Sequence, residues 1–240
     1  MKITTPFRSF LMGGFESCYT LNEQGKRLDL LCDTLHDVKC REDYHLLKEI
    51  GVYTVRESFA WHQIDKGNDV YDFSRFIPML QTAQKEGIQV IWSLNHFDFP
   101  EDLDPFSDAI IERFAKYAVA AVQMIRKYNT GTIYLIPFNE ISFVSWIGGY
   151  MGYWFPFAKR QGWELKLQIV KATIAAMQAM REVDPEIKFI HTDPIMRRLA
   201  PENASPEIMA YVNDFAQVVY QSWDMISGRL MPELGGKPEY

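Results

Sequence analysis

The sequence predicts an α/β fold of the (β/α)8 barrel type, and three features support this prediction. Short apolar segments typical of buried strands alternate with longer helical segments along the chain. This alternation favours a parallel sheet with crossover helices. Polar residues follow the apolar segments, where barrel enzymes carry their active-site groups. A doubly wound open sheet, the alternative, usually has a Gly-rich phosphate loop after its first strand, and Gly13-Gly14 followed by Phe-Glu is not such a loop.

Five strands and five helices account for most of the sequence. The predicted strands cover residues 9–15, 52–55, 88–94, 131–140 and 187–191, and the predicted helices cover 42–50, 72–86, 108–128, 164–182 and 206–226. We predict long loops over 17–40 and 142–163, and Ser74 as the N-cap of the second helix. A closed barrel of this type needs eight strands. We therefore expect residues 1–240 to form a single barrel domain that is incomplete before its sixth strand.

Composition and charge narrow the classes of function. The 240 residues have a formal net charge of -6, which argues against a nucleic-acid partner. No apolar run approaches the roughly 18 residues of a membrane span, so we expect no membrane association. The three cysteines form no CxxC pair and are odd in number, which favours a reduced, cytoplasmic protein. The oligomeric state cannot be predicted from these features.

The stretch from Gly131 to Glu140 contains the strongest candidate for a catalytic group. Its apolar part predicts a buried strand, and Asn139 and Glu140 stand where that strand ends. A strand end is a rigid mount that can hold an acid against a substrate atom. The dipeptide alone is a weak signal, because a surface glutamate at the start of a loop gives the same pattern.

Other polar residues follow the remaining strands. Glu16, Arg56 and His96 stand at the ends of the first, second and third predicted strands. Each has a structural alternative: Arg56 could pair with Glu57 or Glu16, and His96 could be a core histidine. His96 and Asp98 could also be metal ligands, but no other histidine or cysteine has suitable spacing. We therefore expect neither a metal nor a cofactor.

The order of the motifs resembles a known enzyme family. Asn139-Glu140 after an apolar strand is similar to the acid/base signature of retaining glycoside hydrolases with (β/α)8 barrels. Residues 93–100 resemble the strand-three motif of glycoside hydrolase family one, the β-glucosidase family, and 56–61 resemble its strand-two motif. Residues 71–74 and 114–118 also stand where that family has similar segments. The likeness covers nearly the whole chain and implies a β-linked carbohydrate substrate.

The resemblance also implies roles for individual residues. Glu140 would be the general acid and later the general base, and Asn139 would hydrogen-bond the sugar 2-hydroxyl. His96 would contact the sugar held at the cleavage point, and Arg56 would hydrogen-bond the catalytic nucleophile. Trp146 and neighbouring aromatic side chains could stack on the leaving-group sugar or could hold their own loop in place.

The sequence departs from the family pattern at two positions. Ile141 follows the acid/base glutamate, where the family usually has proline, and the glutamine expected after the first strand is missing. Thr20 or Glu16 is the nearest candidate for that sugar contact. The family takes its nucleophile from strand seven, which the chain does not include. We therefore expect the natural reading frame to continue, and the 240-residue chain alone to be inactive. A non-catalytic carbohydrate-binding barrel and an endo-acting glycanase are the alternatives to a β-glucosidase-like enzyme.

Overall fold

The computed structural model describes residues 5–15 and 17–240, which form a five-stranded parallel sheet in the order β1-β2-β3-β4-β5. Every neighbouring pair of strands is consecutive in sequence, which is the strand order of a (β/α)8 barrel. The strands are β1 (Met12–Gly14), β2 (Thr54–Ser58), β3 (Gln89–Ser93), β4 (Tyr134–Ile136) and β5 (Lys188–Phe189). The predicted fold class is confirmed, and the described strands leave the sheet open between β5 and β1.

Helices follow the strands as crossover connections. They are α1 (Leu30–Asp33), α2 (His36–Glu49), α3 (Trp61–Ile64), α4 (Ile77–Glu86), α5 (Ala109–Arg126), α6 (Ile141–Val144), α7 (Gly162–Val183), α8 (Pro206–Val218) and α9 (Gln221–Ile226). A π-helical segment (Ser145–Met151) follows α6, and a 3-10 turn (Pro232–Leu234) lies near the chain end. No helix of the described residues combines the length and the apolar character needed to cross a bilayer.

The sheet separates two apolar regions. The larger core lies between the outer face of the sheet and the helices, and its aromatic side chains pack closely: the rings of Phe59 and Trp92 stack at 4.6 Å. On the opposite, inner face, Ile91, Tyr134 and Ile136 form a smaller cluster. Alternation along each strand sends successive side chains to these two faces.

The predicted loop over 17–40 is wrong, because this segment contains α1 and the first turn of α2. Asp29 accepts a hydrogen bond from the Cys32 amide at 3.0 Å and so caps α1. The first turn of α2 is polar in sequence, yet His36 is buried through charge pairing. An apolar periodicity does not detect a helix that is buried by ion pairs.

Two predictions about helices also need correction. Helix α4 begins at Ile77 with Phe76 in the N-cap position, so Ser74 is not its cap; the Ser74 amide donates to the Asp72 side chain instead. The predicted helix over 206–226 is two helices, because the chain turns near Tyr220 and buries Ser222 against Asp193.

The predicted loop over 142–163 begins with α6 and the π-helical segment. Its glycines allow close packing rather than loop flexibility. A Cβ atom on Gly148 would lie 2.7 Å from the backbone oxygen of Phe155, which is closer than real Cβ contacts. The glycines of this segment therefore indicate a close contact between two stretches of backbone, as between Gly148 and Phe155.

A buried charge cluster connects β2 to α2. The Glu57 carboxylate is fully buried on the outer face of β2 and contacts His36 Nε2 at 2.9 Å and the Tyr44 hydroxyl at 2.7 Å. The other ring nitrogen of His36 lies 2.6 Å from Asp43. Burial lowers the pKa of His36, but hydrogen bonds and charges from Glu57 and Asp43 outweigh burial and raise the pKa above its usual 6.5.

We expect His36→Gln to destabilise the fold by about 3 kcal/mol, because it leaves the buried Glu57 carboxylate without its charged partner. The raised folded-state pKa of His36 means that its contribution is fully present below the unfolded pKa and is lost as the pH rises through the folded value. Urea unfolding at a series of pH values should therefore show the largest difference from wild type at about pH 6, with a decrease toward alkaline pH.

His45→Gln is the matched control for this measurement. His45 lies on the same helix, and its contact with Glu49 at 3.5 Å is exposed to solvent on both sides. Such a surface pair contributes about 0–1 kcal/mol. Equal stability losses for the two variants, or a loss that does not change with pH, would show that the His36 pair does not anchor α2.

Candidate active site

Arg56 lies within β2 rather than at the strand end predicted from the sequence, and it contacts Asn139, which follows β4. Arg56 lies on the inner face of β2 and donates from Nη2 to Asn139 Oδ1 at 2.6 Å and from Nε to Ser93 Oγ at 3.0 Å. The hydroxyl of Thr192, after β5, donates to the same Asn139 oxygen at 2.8 Å. A residue within β2 and residues at the ends of β3, β4 and β5 therefore share one polar network that centres on a single amide.

These contacts fix the orientation of the Asn139 amide. Two donors occupy Oδ1, so the oxygen is the atom that faces Arg56 and Thr192. The Nδ2 atom of Asn139 is buried and finds no hydrogen-bond acceptor among the described residues. A buried donor without an acceptor is costly, at about 1–3 kcal/mol. The arrangement suits a ligand that supplies an acceptor oxygen at this point.

Glu140 begins helix α6 in a left-handed backbone conformation, with φ 50° and ψ 59°. Its amide donates to the Thr192 carbonyl oxygen at 3.0 Å, and its own carbonyl accepts from Val144 at 3.0 Å. A non-glycine residue in this conformation costs about 1–2 kcal/mol. The contacts on both sides hold the residue there, and its half-buried side chain faces a cavity.

His96 is buried in the turn that follows β3. Its Nδ1 atom lies 3.2 Å from Ser58 Oγ, and its carbonyl oxygen accepts from the Tyr19 amide at 3.2 Å. Burial lowers the pKa of His96 to about 3, and the positive charge of Arg56 acts in the same direction. The imidazole is therefore neutral at physiological pH, where it can exchange hydrogen bonds with hydroxyl groups.

The cavity beside Glu140 has a volume of about 540 Å³. Trp146 is part of its wall, projects from the π-helical segment, and is 45% exposed. The ring of Trp146 lies 5.9 Å from that of Phe143 in α6, and both side chains line the cavity. This position is compatible with both roles that the sequence suggested for Trp146, namely stacking on the leaving-group sugar and holding its own loop in place.

The other carboxylates at the strand ends have buried partners. Glu57 faces the helix layer, and Asp98 accepts hydrogen bonds from the backbone and ring nitrogens of His62, both at 2.8 Å. Burial raises the pKa of Asp193, but hydrogen bonds from His191, Ser222 and Ser142 outweigh burial and lower the pKa below its usual 3.8. Glu16, a predicted sugar contact, lies outside the described residues.

No group of three or more histidine, cysteine, aspartate or glutamate side chains in residues 5–15 and 17–240 is arranged to hold a metal ion. The alternative interpretation of His96 and Asp98 as ligands therefore has no supporting cluster in this part of the chain. Asp98 instead organises the turn after β3, since its carbonyl also accepts from Asn95 Nδ2 at 2.5 Å.

The predictions from the sequence did not include two residues of the site. Thr192 holds the Asn139 oxygen, and its only signal was a position after the fifth strand. Lys166 contributes to the wall of the cavity from α7. It lies on the buried face of that helix together with Leu165, Ile169 and Val170. A lysine within this apolar stripe was the available signal.

The family model for glycosyl hydrolase family 1 matches residues 14–223, a range that includes every candidate site residue. The chain belongs to glycosyl hydrolase family 1. Its relatives in this family include β-glucosidase 1 of Arabidopsis thaliana, 30% identical over 136 residues, which are 51% of this chain and 24% of that protein. Human cytosolic β-glucosidase is 31% identical over 102 residues, or 34% of this chain and 21% of that enzyme.

Solved structures of family 1 proteins have the same fold. The family 1 β-glucosidase of Thermotoga maritima aligns with a TM-score of 0.73 at 16% identity, over 90% of this chain and 54% of that chain. The β-glycosidase of Pyrococcus horikoshii aligns with a TM-score of 0.71 at 15% identity, over 95% and 56%. This family 1 chain thus spans about half the length of these solved relatives.

Proposed function

We propose that this chain supplies the acid/base half of a retaining β-glycosidase, with Glu140 as the general acid and then the general base. In such a mechanism, Glu140 protonates the oxygen of the leaving group while a second carboxylate attacks the sugar. After the leaving group departs, the ionised Glu140 takes a proton from the water that hydrolyses the glycosyl-enzyme. Its position at the mouth of a cavity next to the strand ends suits both steps.

The observation that carries the proposal is the Nδ2 donor of Asn139, which is adjacent to Glu140 and has no hydrogen-bond acceptor among the described residues. A sugar 2-hydroxyl would supply the acceptor oxygen that the described residues do not provide. Hydrogen bonds to this hydroxyl strengthen in the transition state of glycoside hydrolysis. Arg56 and Thr192 would keep the donor aimed at the sugar, because they occupy the other atom of the amide. Neutral His96 would be a second sugar contact.

The second carboxylate would come from outside the described residues. A retaining mechanism places it about 5 Å from the acid. Glu57, Asp98 and Asp193 are already held by buried partners, and β1 and β5 each pair on one side only among the described strands. We infer that further strands pair with these edges, close the barrel and supply the nucleophile, and that the 240 residues alone do not hydrolyse glycosides.

The test compares two proteins: the 240-residue chain and the polypeptide encoded by its uninterrupted natural reading frame. We expect the longer protein to release nitrophenol from aryl β-glycosides, and NMR of the first sugar product to show retained β configuration. The shorter chain should release none. Activity of the 240-residue chain by itself would overturn the inference about the nucleophile. An inactive longer protein that still binds the sugar would favour a non-catalytic carbohydrate-binding barrel.

A further inference from the structure

Lys166 is an unusual residue in the wall of the cavity beside Glu140. It lies in the first turns of α7 and is only 5% exposed. Its neighbours on the same face are aliphatic, and lysine is almost never this buried unless it is paired. The long side chain therefore brings a cationic group into a mainly apolar environment.

The described residues compensate this charge only weakly. The Nζ atom of Lys166 donates to Gln221 Oε1 at 3.2 Å, and this neutral amide is its hydrogen-bond partner among the described side chains. The nearby Asp193 directs its carboxylate to Ser142 and Ser222. Burial lowers the pKa of Lys166, with the charge of Asp193 acting against that effect. An ammonium has three donors, so this group can accommodate further acceptors.

The cavity itself combines aromatic walls with a second cation. Trp146 and Trp163 are exposed at its margin. Arg198 also lines the cavity, and the central carbon of its guanidinium lies 3.2 Å from the centre of the Phe215 ring. Glu140 is the acidic residue among those that line the space. A volume of about 540 Å³ is large enough for an aromatic ring with substituents.

We propose that this cavity binds the leaving group, and that Lys166 selects an aromatic leaving group that carries a carboxylate. The inference rests on the proposed glycosidase function, which directs the leaving group to the side of Glu140. The walls offer stacking surfaces and few hydrogen-bond partners, which suits an aryl ring better than a second sugar. A carboxylate would provide the buried ammonium with a charged partner.

Calorimetric binding of 4-hydroxybenzoate and of its neutral analogue 4-hydroxybenzamide tests this proposal in the complete natural polypeptide. We expect the carboxylate to bind ~10-fold or more tightly than the amide, as for a hydrogen bond between charged groups. In Lys166→Met the two compounds should bind equally, whereas Lys166→Arg should retain part of the preference. Replacing a buried charge with an apolar side chain of similar volume is often neutral for stability, so the variant should fold.

Lys171→Met is the matched control, because Lys171 lies on the same helix outside the cavity lining. This variant should keep the wild-type preference for the carboxylate. Hydrolysis of 4-carboxyphenyl and 4-carboxamidophenyl β-glucosides supplies an independent readout, in which Lys166→Met should remove the preference for the carboxylated substrate.

The outcomes separate the two proposals. Hydrolysis without any preference for the carboxylate, or binding that Lys166→Met leaves unchanged, would overturn the role of Lys166 while the glycosidase function stands. Lys166-dependent binding of 4-hydroxybenzoate without hydrolysis of any glycoside would support the anion site and count against the proposed reaction. Failure of both compounds to bind would overturn the cavity as a leaving-group site.

Discussion

Glu140→Gln in the complete natural polypeptide should slow hydrolysis of glycosides with poor leaving groups by ~10²–10⁴-fold, the usual contribution of a general acid. Aryl glycosides with acidic phenols should lose less in the first step, because their leaving groups depart without protonation. The substitution keeps the size of the side chain, and the backbone contacts with Thr192 and Val144 do not involve it. The expected change is therefore chemical rather than structural.

Rescue of Glu140→Gln by azide would distinguish the loss of an acid/base residue from a general loss of activity. It attacks the glycosyl-enzyme without needing a base, so it should restore turnover of activated aryl glycosides by Glu140→Gln and form a β-glycosyl azide. Glu182→Gln, an exposed position near the far end of α7, should behave like wild type. Unchanged turnover of both substrate classes in Glu140→Gln would remove Glu140 from the mechanism.

Asn139→Asp should lower kcat/KM for β-glucosides by ~10²-fold, in the range found when one donor to a transition-state oxygen is removed. The aspartate keeps an oxygen that can accept from Arg56 and Thr192, so the polar network remains intact. The substitution replaces the donor at the Nδ2 position with an acceptor oxygen and adds a negative charge beside Arg56. An alanine variant would be less informative, since it would also leave Arg56 without this partner.

A 2-deoxy substrate identifies the atom that Asn139 contacts. If its donor serves the sugar 2-hydroxyl, Asn139→Asp should reduce hydrolysis of the 2-deoxyglucoside far less than hydrolysis of the glucoside. Asn203→Asp, which changes an exposed amide far from the strand ends in sequence, should leave both rates unchanged. Equal losses on the two substrates would assign the Asn139 donor to another part of the site.

The overall architecture could be predicted because it depends on local patterns. Strands β3 and β4 are mainly apolar, and the long helix α5 has an apolar face, so these elements give a clear signal in the sequence. The same pattern placed Asn139, Glu140 and His96 at strand ends, where the structure has them. The amide orientation of Asn139 could not be predicted, because it depends on Thr192, which is 53 residues away in sequence.

The incorrect predictions share a physical cause. Buried charges and close backbone contacts produce no apolar pattern in the sequence. His36 begins a helix because it pairs with Glu57, and the sequence alone suggested a loop there. Gly148 lies in a π-helical segment and packs against the backbone of Phe155, although the sequence suggested a loop there. Lys166 is hidden in the same way, since a cation on a buried helix face becomes visible only when its surroundings are known.

The left-handed backbone at Glu140 bears on any effort to make this protein more thermostable. Glycine and asparagine adopt that conformation more readily than glutamate. A library selected for melting temperature alone would therefore tend to replace the proposed acid, and stability would increase as chemistry disappears. Such a library should hold this position fixed. Other non-glycine residues, such as Leu35 and Phe97, also have a positive φ, but at Glu140 this disfavoured backbone coincides with the proposed acid.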